Sequence, residues 1–383
     1  MTMFQGPLRR TIPNAMARRP MACLGFLLLA ACAAQGPGQE GAVFYPAAPE
    51  IPRVQYLTTI NTEEDVGGGT SEFRQFLLGD DQPTAGLVKP FDVAHEKGKI
   101  YVIDRRFYAV VVIDLAEGKF QAIKDTSGGP LRKPMSIFVA DDGYKYIADR
   151  DRGQVIIFDQ QNQFHNAYGA KGQFQPLDVV VHGDRVYVSD VKDNEIEVLD
   201  KDTGELITKI GEPGPDDGQF HWPTFLAIDA EGNLYVTDFL NFRVQKFDPN
   251  GSFVRAIGQL GNFPGAMPRP KGIVVDDEGY LYAVDSAFEL VQIFDTKSAE
   301  VLLGFGKFGP TPGGSWLPAG IDIDYDNVGY FSEHLDPDFR AKYLIYVVNQ
   351  AGPAKLNVYA FGEWTGPAPK GAQPARNEDS PEE

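Results

Sequence analysis

Two cysteines in 383 residues are too few for a disulfide framework or a thiolate metal site. Both lie near the N-terminus, at Cys23 and Cys32, so the body of the chain carries no thiol chemistry. No C-x-x-C-H sequence is present, which excludes covalently attached haem of that type. No strand–Gly loop–helix unit of the nucleotide-binding kind is present either. Sustained helical periodicity is missing from the body of the chain. The five histidines (His95, His165, His182, His221, His334) are scattered, whereas a catalytic zinc needs three or four converging ligands. Basic residues are also in deficit, 35 against 53 acidic ones. The resulting net charge of −18 argues against nucleic acid or a bare anionic membrane as partner.

The N-terminus has a different composition. Arg9, Arg10, Arg18 and Arg19 precede an apolar run from Met21 to Ala31 that is too short to span a bilayer, so residues 1–31 read as a cleaved signal peptide. Leu29-Ala30-Ala31-Cys32 resembles the lipobox of bacterial lipoproteins. That resemblance implies that Cys32 becomes the lipid-modified first residue and ties the protein to the membrane of the cell envelope. Removing residues 1–31 takes away four arginines and no acids, leaving 31 basic residues against 53 acidic, a net charge of −22. Residues 32–53, rich in Gly, Ala and Pro, are expected to form an extended tether. Residues 61–88 read as a connection with a possible short helix at 73–79, and residues 363–383 as a disordered tail.

Between them lies a repeat. Pro223 to Gly258 predicts four short strands: an apolar run, a D-A-E-G turn, an aromatic strand ending on Asp238, a third strand from Arg243 to Phe247, a D-P-N-G turn and a fourth strand from Phe253 to Ile257. The opening proline and the strand ending on a carboxylate recur as Pro90 with Asp104, Pro134 with Asp149, Pro176 with Asp190 and Pro270 with Asp285. A sixth copy starts at Pro318. Its second strand is delayed to Leu344–Asn349 by an insertion, and it lacks a fourth strand. The lone strand Arg53 to Ile60 is therefore expected to complete that last sheet, with Tyr56 beside Val358, and to close a ring. The predicted fold is an all-β, six-bladed β-propeller over residues 54–362.

The spacing of the proline, the second strand and Asp238, Asn241, Arg243 and Gln245 resembles the NHL repeat. The lipobox, the lead-in and the blade-six insertion resemble a set of bacterial NHL-propeller lipoproteins, often from organisms rich in multihaem cytochromes. The resemblance implies a lipid-anchored, non-enzymatic scaffold for envelope protein assemblies, in electron transfer or export, with multihaem cytochromes among the partners. The alternative is a metal-assisted hydrolase or lyase, lactonase-like or amidating-lyase-like, at the channel mouth. No cofactor is expected, with calcium the one ion kept open.

In propellers of this kind the residues after each proline ring the channel mouth: Phe91, Met135, Leu177, Thr224, Lys271 and Ala319. Asp92 and Asp178 stand where a calcium site would need carboxylates, or else bond turn amides of their own blades. The repeated strand-terminal Asp reads as structural, because a group present in every blade suits architecture better than chemistry. Arg105, Arg106, Arg150, Arg152 and Lys192 follow that Asp in three consecutive blades, on the face of Lys271, and make a candidate anion or acidic-partner site. Their alternative is pairing with neighbours such as Asp151 and Asp193. In the insertion, Tyr330, Phe331, His334, Phe339 and Tyr343 interleave with Glu333, Asp336 and Asp338. That mixture suits an interface, or else rings packed on the propeller's own side.

Overall fold

The computed structural model describes residues 41–67, 86–126, 128–170 and 172–368. The signal peptide, Cys32, the helix read at 73–79 and the tail beyond residue 368 lie outside the described residues.

Blade four shows how the repeat folds. Strands Pro223–Ile228, Leu234–Asp238, Arg243–Phe247 and Phe253–Ile257 pair antiparallel in sequence order. The side chain of Asp229 accepts the amide of Asn233, and Gly232 takes φ +83°, which closes the first turn. Asp248 does the same for Asn250 and Ser252 in the second turn. The opening proline has no N–H to give the ladder, and the register shifts immediately after it, between Pro223 and Leu226. Equivalent shifts follow Pro90, Pro176, Pro270 and Pro318. Each bulge bends the strand as it enters the channel wall.

Six such sheets form a ring. Each first strand packs on the next, and Pro318–Asp324 packs on Pro90–Glu96 to close it. Blade six runs inward as Val43–Tyr45, Val54–Ile60, Leu356–Trp364, Phe339–Asn349 and Pro318–Asp324. Tyr56 pairs with Tyr359 and Thr58 with Val358, so the expected closure by the N-terminal strand is observed.

One expectation is corrected. The segment read as an extended tether contributes a fifth strand, Val43–Tyr45, to blade six. Phe44 packs edge-on against Trp364 at 5.4 Å, which fixes this strand over the outer edge of the sheet. The insertion lengthens the blade, in line with the packed one of its two readings. A short 3₁₀ turn, Val328–His334, leads into a second strand of 11 residues, Phe339–Asn349. Gln55 clamps that turn by donating to the His334 carbonyl and accepting from the Asp336 amide.

Candidate functional site at the channel mouth

The strand-terminal carboxylates build the loops around the mouth. Asp104 accepts the amides of Val88, Lys89 and Arg106; Asp149 accepts those of Arg132, Lys133 and Arg152; Asp285 accepts those of Arg269, Ala287 and Phe288. In blade four, Asp238 accepts the His221 amide on one oxygen and the side chains of Asn241, Arg243 and Gln245 on the other. The structural reading of this Asp therefore holds in each of these blades.

Within those loops the channel narrows onto rings. Phe91, Met135, Leu177, Thr224 and Ala319 are buried and Lys271 is half-buried. Phe91 and Phe225, from blades facing each other across the axis, bring their rings to 5.7 Å. Over this apolar floor stand three cations. The Arg105 guanidinium lies 4.7 Å from the Phe91 ring centre, the Lys271 ammonium 4.8 Å from that of Phe239, and Arg150 5.9 Å from that of Trp222. Burial pushes Lys271 down to about 8, and repulsion from Arg269 and Arg105 pushes the same way. Burial and then the charge of Arg150 lower Arg105. Among the described residues no carboxylate comes within ion-pair distance of Arg105, Arg150 or Lys271. The polar contact of the Arg150 guanidinium is with Gln175 at 3.4 Å.

The remaining basic candidates are placed otherwise. Arg152 donates to Thr126 Oγ1 and the Gly129 carbonyl, both at 3.0 Å, and so pins the small hairpin of Asp125–Thr126 with Gly129–Pro130. Lys192 donates to the Gln173 carbonyl at 3.0 Å and lies 3.8 Å from Asp193. Arg106 is exposed, and it is its backbone amide that Asp104 holds. The structure thus brings Arg105 close to both Arg150 and Lys271, while Arg152 and Lys192 are engaged by other partners. Trp222 and Phe239, which carry two of the three cations, were not singled out from the sequence. Their signal is positional, since one precedes the blade proline and the other follows the strand-terminal Asp.

Below the phenylalanines a cavity of about 270 Å³ is lined by Asp92, His95, Asp178, Phe225 and Asp322, among others. Asp92 accepts the Ile137 amide at 2.9 Å and Asp178 the Leu226 amide at 2.7 Å. These amides belong to the next blade, not to turns of the same blade, so each carboxylate staples two neighbouring first strands. Gly320 leaves the space that Asp92 fills, since a Cβ there would meet Asp92 Oδ1 at 2.4 Å. Burial, then the charge of Asp178, raises Asp92 well above the usual carboxylate range, and burial brings Asp178 up to about 6. Phe225, Gly272 and Gly320 occupy equivalent places without a side-chain oxygen, so this donor set does not fit a channel calcium. His95 Nδ1 lies 2.6 Å from Asp322 Oδ2, joining blades one and six. Burial opposes its protonation, but the carboxylates of Asp322, Asp324 and Asp326 together outweigh burial and lift it to about 9.

The insertion's rings are corrected as interface anchors. Phe331, Phe339 and Tyr343 are buried. Tyr343 stacks on Phe361 with ring centres 5.1 Å apart and bonds Tyr282 and Asp276 through its hydroxyl. Phe339 meets Phe44 at 5.9 Å and Phe331 meets Tyr346 at 6.4 Å. Tyr330 and His334 remain exposed.

A closed ring of six sheets around a narrow channel defines a six-bladed β-propeller. Residues 220–247, which hold the Asp238, Asn241, Arg243 and Gln245 web, match the family model of the NHL repeat. A probable peptidyl-alpha-hydroxyglycine alpha-amidating lyase from Caenorhabditis elegans is 27% identical over 105 residues, 26% of this chain and 30% of that protein, so the match spans under a third of the relative's length. Among solved structures, a structural-genomics protein from Bacteroides thetaiotaomicron superposes with a TM-score of 0.56 at 16% identity, covering 80% of this chain and 75% of that one. A streptogramin B lyase gives 0.50 at 14% identity, covering 71% and 83%. A catalytically inactive virginiamycin B lyase from Staphylococcus aureus, solved with quinupristin, gives 0.50 at 16%, covering 71% and 95%. At these identities the likeness speaks for the fold.

Proposed function

We propose that this propeller is a lipid-anchored, non-enzymatic binding module that organises other envelope proteins and holds an anionic group of its partner at the channel mouth. The observation that carries the reading is the set Arg105, Arg150 and Lys271, three cations over aromatic rings with no described carboxylate beside them. Like charges held together and partly desolvated cost free energy that a bound anion offsets, and Arg offers a carboxylate or phosphate a two-point match. In a chain of net charge −18 the local sign reversal favours an acidic group on a protein that would otherwise be repelled. Cys32 behind its apolar run supports anchoring at the envelope. The resemblance to NHL-propeller lipoproteins makes multihaem cytochromes the partners to test first.

The test is calorimetric binding of citrate and inorganic phosphate to the full chain and to the triple variant Arg105→Ala, Arg150→Ala, Lys271→Ala. A loss of at least about tenfold in affinity is expected, since three charge-assisted contacts disappear. Equal affinity would overturn the reading. A second reading, a lyase at the same mouth, draws support from the names of the amidating and streptogramin lyases to which the chain is similar. Against it, the described histidines do not converge: His95 is engaged with Asp322 under the phenylalanines, and His334 lies in the blade-six insertion. Turnover of a peptidyl-alpha-hydroxyglycine that is lost on Lys271→Ala would favour the lyase.

A further inference from the structure

Blade three departs from its neighbours at one place. In blade four, Asp238 pairs in register with Arg243, and Val236 with Gln245. In blade three the same register pairs Asp190 with Glu195 and Val188 with Glu197. The position that supplies a guanidinium in blade four thus carries a carboxylate, and so does the position that supplies an amide donor. Asp238 Oδ2 accepts three side-chain hydrogen bonds, whereas Asp190 Oδ2 has no hydrogen-bond partner among the described residues. The same holds for Glu197 Oε2. Both side chains are closed off from solvent, with relative exposures of 0% for Asp190 and 3% for Glu197.

One carboxylate oxygen from each of Asp190, Glu195 and Glu197 can be chosen so that all three lie within 4.8 Å of one another. Oxygens bound to a calcium ion sit about 2.4 Å from it, so two on opposite sides of the ion stand roughly 4.8 Å apart. The spread of these three fits one such shell. Lys209 pairs with Glu195 and reaches Glu197 at 3.8 Å. It offsets one of the three negative charges and leaves two. Two buried, unpartnered carboxylate oxygens beside a third acid represent a desolvation cost that the fold does not otherwise offset.

We propose that Asp190, Glu195 and Glu197 form a binding site for a hard divalent cation of the calcium class, which takes in blade three the place that the Arg243 guanidinium holds in blade four. The cation completes its shell with water and backbone carbonyl oxygen, balances the residual charge, and ties the second strand, Arg185–Asp190, to the third, Glu195–Asp200. The site is structural. Glu195 and Glu197 are none of the mouth cations, so substitutions at these two acids test the cation site while Arg105, Arg150 and Lys271 stay unaltered.

The full chain, stripped with a chelator, is titrated with calcium chloride by calorimetry, and its thermal midpoint is recorded with and without the ion. One ion per chain and a rise in midpoint of several degrees are expected, because a ligand that binds only the folded state stabilises it. The double variant Glu195→Arg, Glu197→Gln installs the blade-four pair. It is expected to show no calcium response and a metal-free midpoint at or above that of the unaltered protein. The milder Glu195→Gln keeps the fold while weakening calcium at least tenfold. No heat and no midpoint change in the unaltered protein, or an undiminished calcium response in Glu195→Gln, would overturn the proposal.

Discussion

Lys271 sits half-buried with its ammonium on the Phe239 ring and two arginines close enough to repel it, which brings its proton affinity down to about 8 from the usual value of 10.5. An anion at the mouth binds the charged form, so deprotonation removes both a donor and a charge. Affinity for citrate, which is almost fully ionised above pH 7, should therefore fall by about tenfold between pH 7 and pH 9 instead of holding to beyond 10. Calorimetric titration at pH 7 and pH 9 reads the difference, and Lys271→Met should be weaker and level across the range. A profile that stays flat to pH 9 in the unaltered protein would mean that Lys271 does not touch the ligand. At this scale the sequence showed the basic residues but not their company. Arg152 and Arg150 are two positions apart, yet Arg152 pins the pair of Asp125–Thr126 with Gly129–Pro130 while Arg150, with no carboxylate within ion-pair distance among the described residues, meets Gln175. The acid substitutions at Glu195 and Glu197 were legible in principle, since laying blade three over blade four puts them against Arg243 and Gln245. They go unnoticed when each motif is read for what it contains and not for what it replaces.

Strands carry the next level of meaning, and the second strand of blade six shows where composition misleads. Aromatic rings mixed with acids describe an exposed interface and a packed insertion equally well. The register of Phe339–Asn349 against Leu356–Trp364 decides for packing, because it turns Tyr343 onto Phe361 and against Tyr282. The Tyr343 hydroxyl meets Tyr282 at 2.6 Å and donates to Asp276 at 2.7 Å, all three buried. Tyr343→Phe leaves Asp276 and Tyr282 short of a partner and should cost about 1–3 kcal/mol in a urea unfolding curve. His334→Ala, on the exposed turn of the same insertion, should stay within about 0.5 kcal/mol. If both changes are equally mild, the hydroxyl network contributes nothing to stability. The other strand the sequence hid, Val43–Tyr45, is three residues long and flanked by Pro46 and Pro49, below the length at which alternation can be read.

Closure is a property of the whole ring, and it was the part most legible in the sequence because it follows from counting strands: one sheet short by one, one strand without a sheet. It has to offset a loop-closure cost, because its contacts are so distant in the chain. The Thr59 hydroxyl donates to the Asn357 side chain across 298 residues, and Asn61 Oδ1 accepts the Lys355 amide across 294. Loop-closure entropy grows only with the logarithm of such a span, so a seven-residue strand with buried Val54 and Ile60 is enough to hold it. A chain starting at Arg53 retains that strand and loses only the added outer one, so it should fold as the full chain does with a modestly lower midpoint. A chain starting at Asn61 leaves Leu356–Trp364 as an open, apolar edge, while the contacts of blade six with blades one and five, made by Pro318–Asp324 and Phe339–Asn349, stay in place. Size-exclusion chromatography and thermal melts of the two truncations separate these outcomes, with aggregation or a collapse of the midpoint expected for the shorter chain alone. Equal behaviour of the two would mean that the ring is held by its first strands, stapled through Asp92, Asp178 and the His95–Asp322 pair, and that the outer closure serves only to cover an edge.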